Sequence, residues 1–199
     1  MESIADLSVG LAMTVGRALL GTVFVVAGIG KVRSGPTRVQ AVVLAYDLLP
    51  RSLAEAVARW LPYLEIATGV LVLAGLALGP AVITAAGLLV VFTAVVALAL
   101  VRRTKADCGC FGQANLSPLR RTVVLRNLFL LGIAGCLLIW PQPLLTLDGA
   151  LNAAGVDEQT RIALALGVAA VTASITAAST ARRQGFLLVH ESAPGGDQR

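Results

Sequence analysis

PYLEIATGVLVLAGLALGPAVITAAGLLVVFTAVVALALV, residues 62–101, is a run of forty residues whose one charged side chain is Glu65. A helix needs about 20 apolar residues to cross roughly 30 Å of hydrocarbon, so a run twice that length holds two crossings. Gly79-Pro80 divides it into 62–79 and 80–101, with glycine as a helix C-cap and proline as a helix start. A tight hairpin of two membrane helices is expected. The whole chain agrees: 199 residues, 57% apolar, 14% charged, mean hydropathy +0.83. Soluble domains carry about 25% charged residues, and this chain has too few to cover a water-facing surface.

Outward from that hairpin lie three more apolar runs, 11–30, 119–140 and 161–181. The first has Glu2 and Asp6 before it, where a cleaved signal carries positive charge, so it is expected to remain as a helix. The last is rich in Ala, Ser and Thr, and packing through small residues must help to hold it in the bilayer. The expected fold is all-α, an integral membrane helical bundle. It divides into a four-helix domain over 1–145, an extra transmembrane helix within 146–185 and a flexible tail over 186–199. His190 in that tail is expected to be a solvated side chain. Between the first two spans, 37–60 mixes Arg38, Asp47, Arg51, Glu55 and Arg59 with Val, Leu and Ala. It reads as two short amphipathic helices at the interface, with Ser52 and Glu55 at capping-box spacing and Tyr46 and Trp60 as candidate belt residues, or else as an ordinary surface loop packed on the bundle.

The net charge of +5 does not point to nucleic acid, because the basic residues are short clusters between apolar runs. Thirteen of them fall in the first loop, the third loop and the C-terminal segment, against Arg161 alone on the opposite side. The positive-inside rule then puts the N-terminus outside and the C-terminus in the cytoplasm, in the cell membrane.

The third loop contains Asp107-Cys108-Gly109-Cys110-Phe111-Gly112. Thiol–disulfide exchange needs two sulfurs within reach, access, and stabilisation of the thiolate. In extended backbone, positions i and i+2 lie near the upper limit of about 7 Å between Cα atoms, and Gly109 permits the turn that closes them. The small ring is expected to be strained and easily reduced. Arg102, Arg103, Arg120 and Arg121 flank the loop, and Asn115-Leu116-Ser117-Pro118 reads as an N-cap leading into the fourth span. A positive field and a helix start both favour the thiolate, whereas Asp107 opposes it. Transient metal binding and coincidence remain open alternatives, although two thiolates lack the other ligands of a closed site. Cys136, within LLGIAGCLLIW, reads as a small buried apolar side chain.

Polar and ionisable groups at membrane depth are functional candidates because burying them there is costly. Arg17, Glu65, Arg126 and Asn127 qualify. Glu65 and Arg126 both lie toward the cytoplasmic ends of their spans and are expected to meet below the cysteine loop, with Lys31 close by. The pair serves either helix register or proton handling. Arg17, in the outer half, is expected to snorkel.

Gly28-Ile29-Gly30-Lys31, Tyr46-Asp47-Leu48-Leu49-Pro50, Leu61-Pro62-Tyr63-Leu64-Glu65 and Cys108-Gly109-Cys110-Phe111-Gly112, in that order, resemble the methylamine utilisation MauE family within the DoxX-like membrane proteins. The resemblance covers about 20 to 140 and leaves out the fifth span. It implies a four-helix membrane core and a part in maturing a disulfide-rich partner, as in methylamine dehydrogenase processing, or in thiol redox beside a thioredoxin-like protein. Carried over by position, it singles out Cys108 and Cys110 as reactive, with Lys31, Glu65 and Arg126 supporting. If the protein is an enzyme, it is a thiol–disulfide oxidoreductase. The rival readings are a non-enzymatic assembly or transport factor for a client protein, and a quinone-linked oxidoreductase of DoxX-like type. No cofactor motif or metal-ligand set is evident, and the partners expected are the bilayer and a redox protein or client.

Overall fold

A computed structural model describes residues 4–45, 48–101, 120–140 and 146–191. All regular structure among them is helical: α1 (Ile4–Ser34), α2 (Pro36–Ala45), α3 (Arg51–Ala74), α4 (Leu78–Val101), α5 (Arg120–Ile139), α6 (Leu147–Ala153) and α7 (Glu158–Glu191). Among the described residues, α1, α3, α4 and α5 are long and apolar enough to cross a membrane. The chain is a membrane protein built as a helical bundle.

Its exterior carries the apolar side chains that a soluble protein would hide. Val15, Leu19, Ile83, Val90, Leu125 and Phe129 all face outward. The shared core is made by Leu20 and Phe24 of α1, Val72 of α3, small residues of α4 such as Ala81 and Ala85, and Leu130, Ala134 and Leu137 of α5. Small residues let these backbones approach closely where lipid removes the hydrophobic drive for helix association. The closest approach is between α1 and α3. A Cβ at Gly21 would stand 2.8 Å from Gly69 O, one at Gly69 would stand 2.7 Å from Gly21 O, and one at Gly28 would stand 2.8 Å from Pro62 O. No side chain fits at these three positions without separating the helices.

The hairpin in 62–101 is present, but its turn differs from the sequence reading. Helix α3 stops at Gly75, which takes φ 65°, with Gly75 N donating to Val72 O and Leu76 N to Leu71 O. These two bonds form a Schellman cap, which needs a left-handed residue and finds it in Gly75, ahead of Gly79. Ala77 follows at φ 47°, and Gly79 and Pro80 lie inside the first turn of α4, where the missing N–H of proline costs nothing.

Region 37–60 is also reorganised. Its first half is α2, but the second half is the beginning of α3, which runs from Arg51 through Pro62 without a break. Pro50 is the N-cap residue and makes no side-chain cap bond, so the Ser52 and Glu55 spacing is not used as a capping box. Glu55 instead pairs with Arg59 one turn on, at 3.1 Å and largely exposed. Trp60 is exposed and meets Tyr63 edge to face, while Tyr46 lies outside the described residues. Cys136 is exposed on the bundle exterior, not buried.

Helix α7 packs along α3 and presents much of its surface outward, including Ile162, Leu166 and Val171. Asp157 starts it, accepting from Thr160 N at 2.9 Å and Thr160 Oγ1 at 2.7 Å. The carboxyl of Asp157 is thereby held below its ordinary range, chiefly by these two Thr160 hydrogen bonds.

Candidate functional site

Lys31 is in the last turn of α1, and Glu65 lies beyond the midpoint of α3. The two helices run antiparallel, because Gly21 faces Gly69 and Leu73 while the later Gly28 faces Pro62 and Ile66. That crossing brings two residues 34 positions apart into contact. Lys31 Nζ donates to Glu65 Oε1 and to Oε2, each at 2.7 Å, with side-chain exposures of 7% and 0%. Lys31 Nζ also sits 5.4 Å from the centroid of the Phe92 ring on α4. Removing one member of such a buried pair strands the other charge, at a cost of about 3–5 kcal/mol.

Helix α5 brings the other polar group. Arg126 is half-buried, and its Nε and Nη2 donate to Asn127 Oδ1 at 3.3 and 3.0 Å. Arg126, Asn127, Lys31 and Glu65 line one small cavity together. The sequence reading joined Glu65 to Arg126 with Lys31 nearby. In the structure the ion pair of Glu65 is with Lys31, and Arg126 stands across the cavity bonded to Asn127. Helix periodicity puts a charge on a face but does not say which of two basic residues, on α1 or α5, comes nearer.

Arg17 belongs elsewhere. It is 6% exposed, so it does not snorkel, and its Nη1 donates to Leu73 O at 2.9 Å and Val72 O at 3.4 Å. These carbonyls end α3, where the helix dipole is negative, and Arg17 adds a donor at Val72 O beside the one from Gly75 N.

Cys108 and Cys110, the reactive pair of the sequence reading, lie outside the described residues, as does Asn115-Leu116-Ser117-Pro118. The helix ends on either side of them are described: α4 ends at Val101, and α5 starts at Arg120. Both ends belong to the end of the bundle that holds Lys31 and Glu65, since Arg126 is six residues into α5, about 9 Å along a helix.

Two larger cavities also touch Lys31. One, of about 430 Å3, is walled almost wholly by apolar side chains of α2, α3 and α4, among them Val42, Leu61, Phe92 and Val95. The other, of about 420 Å3, has a mixed lining in which Thr37, Gln40, Glu55, Arg59 and Tyr63 stand beside Val32, Pro36 and Ala58. Among the described residues no group of three or more His, Cys, Asp or Glu is placed to hold a metal ion. Phe92 was not singled out in the sequence; an aromatic within an apolar run gives no signal until a cation is placed over it.

The family described as methylamine utilisation protein MauE matches residues 9–141, more than half of the chain. The chain belongs to the MauE family. The methylamine utilization protein MauE of Paracoccus denitrificans is 40% identical over 120 residues, which are 59% of this chain and 63% of that relative. The chain therefore spans less than two thirds of the length of the curated relative it matches. No solved structure matches it significantly. In this MauE-family chain the matched range takes in Lys31, Glu65 and Arg126 and the positions of Cys108 and Cys110, and it stops before α7.

Proposed function

We propose that this protein is a membrane-embedded thiol–disulfide relay that takes part in maturing a disulfide-containing partner, in the setting of methylamine utilisation. The carrying observation is that the family match encloses the Cys-Gly-Cys pair together with the buried Lys31–Glu65 centre. The anchor points of the cysteine segment at the same end of the bundle support this. In the exchange, a thiolate of the partner attacks the Cys108–Cys110 disulfide, a mixed disulfide forms, and the second partner thiolate displaces it. Two electrons pass to Cys108 and Cys110, and the partner gains its disulfide; the reverse exchange reduces the partner.

In this reading the protein lies in the cell membrane with α7 as a fifth span, the N-terminus outside and the cysteine segment in the cytoplasm, following the bias of basic residues. Lys31, Glu65 and Arg126 support the relay from within the bundle. Cys108→Ser and Cys110→Ser variants are expected to stop maturation of the partner while leaving the amount of membrane protein unchanged. Maturation at the parental rate in both would end the proposal. A membrane-impermeant thiol reagent applied to intact cells, with and without prior reduction, tests sidedness and redox state together.

A second reading, a quinone-linked oxidoreductase, is favoured by one observation, the apolar cavity of about 430 Å3 that ends at Lys31. Its size and lining suit an apolar ring with a tail. Turnover would then change quinone absorbance, and the absence of such a change in the purified protein with added quinone and dithiol excludes it.

A further inference from the structure

The cavity between Lys31, Glu65, Arg126 and Asn127 has a volume of about 20 Å3, with Phe24 and Phe92 in its apolar wall. A water needs about 10–15 Å3 of such space and two to four polar partners, whereas a purely apolar void stays dry. This cavity has the room of one water and four polar side chains around it.

Asn127 decides what it holds. The residue is 1% exposed, and its Oδ1 accepts both hydrogen bonds from Arg126. A guanidinium offers only donors, so the amide orientation is fixed and Nδ2 must point away from Arg126. Nδ2 is buried and has no hydrogen-bond partner within the protein. Buried amide donors are rarely left in that state, because the desolvation cost goes uncompensated. On the other wall, Glu65 gives one lone pair of each carboxylate oxygen to Lys31 and retains accepting capacity on both.

We propose that this cavity is a hydration site for a single water molecule, which accepts from Asn127 Nδ2 and donates to Glu65. The water ties α5 to the ion pair between α1 and α3 and places an exchangeable proton beside a carboxylate that lipid and protein otherwise enclose. Lys31 also lines the larger cavity that holds Glu55 and Arg59, so polar groups continue from Glu55 and Arg59 through Lys31 and Glu65 to the water and Arg126. The rival occupant is a small anion, since the four side chains together carry one net positive charge.

The test is radiolytic footprinting of the full chain in lipid nanodiscs, alone and as Asn127→Leu. A bound water is a local source of hydroxyl radicals, so Phe24, 3% exposed, is expected to be modified several-fold faster than Leu20, 0% exposed, after correction for intrinsic reactivity. In Asn127→Leu, whose side chain takes the place of the water, Phe24 is expected to fall to the rate of Leu20. Equal, low labelling of Phe24 and Leu20 in the unaltered protein overturns the proposal, whether or not the variant folds. Anomalous scattering from the cavity in crystals soaked in bromide also overturns it, in favour of an anion.

Discussion

The molecule buries a cation at each end of the α1–α3 pair and handles the two differently. Lys31 meets a carboxylate, with both oxygens of Glu65 at 2.7 Å, and lies beside cavities that reach α2, α4 and α5. Arg17 meets backbone, the last carbonyls of α3, with Leu73 O at 2.9 Å. Around it the neighbouring turn is pinned by α6: Asp148 N donates to Gly75 O at 3.0 Å, and Asp148 Oδ2 accepts from Leu78 N at 3.1 Å. One end spends its buried charge on a second titratable group next to open space, the other on closing a helix end. The first arrangement sets a titratable carboxylate against a cavity, and it lies where the cysteine segment is anchored.

That comparison can be broken most severely at Glu65. Glu65→Leu leaves Lys31 buried opposite an apolar side chain and is expected to cost about 3–5 kcal/mol, read from unfolding in detergent. The double variant Lys31→Met with Glu65→Leu is expected to recover most of that loss, because two apolar residues replace the pair. If the double variant is as unstable as the single one, the pair holds the fold through something other than charge.

A smaller effect is expected from Gly28→Val, which has no room against Pro62 O and Ile66 and forces α1 from α3 beside the ion pair while leaving Arg17 in place. Overpacking of this kind costs about 1–3 kcal/mol. Hydrogen exchange should rise around Lys31 and Glu65 and stay unchanged around Gly75. The reciprocal change, Arg17→Leu, is expected to cost about 1–2 kcal/mol, the upper range for a cation at a helix C-terminus. Faster exchange at Gly75 and Leu76, with none at the ion pair, would show that the two ends are energetically separate.

The smallest effect concerns Asp157, outside both regions. Its carboxyl is depressed in the folded protein, so its contribution to α7 is present above the unfolded value, about 3.9, and is lost as pH falls through the lower folded value. Amide exchange in the first turn of α7 should quicken below that range, and Asp157→Ala should show the quick exchange at neutral pH. Neither change should reach Lys31.

Most of the bundle was legible in the sequence because bilayer thickness sets the length of each apolar run. Four long apolar helices overlap the runs 11–30, 62–79, 80–101 and 119–140, although the second begins at Arg51 and ends at Ala74, and a single charge in forty residues marks Glu65. The misreadings were local and have local causes. Gly79-Pro80 has the stronger turn signal, but Gly75 comes first and its Schellman bonds close the helix there. Pro62 looks like a boundary, yet α3 continues through it, since a membrane bundle tolerates proline where neighbouring helices enclose it. Cys136 reads as buried from its apolar neighbours but is exposed, since in a membrane protein such residues line the outside as much as the core.

By itself the sequence determined that the chain is a membrane bundle, that it holds four long apolar helices, and which polar and ionisable groups lie at depth. Only the tertiary structure decided that Glu65 pairs with Lys31, that Asn127 takes Arg126, and that Arg17 closes α3. The reason is that periodicity gives the face of a residue on its own helix, whereas the partner depends on where two helices cross. That crossing is set by the bare backbone at Gly21, Gly28 and Gly69, which brings residues 34 positions apart within hydrogen-bond reach.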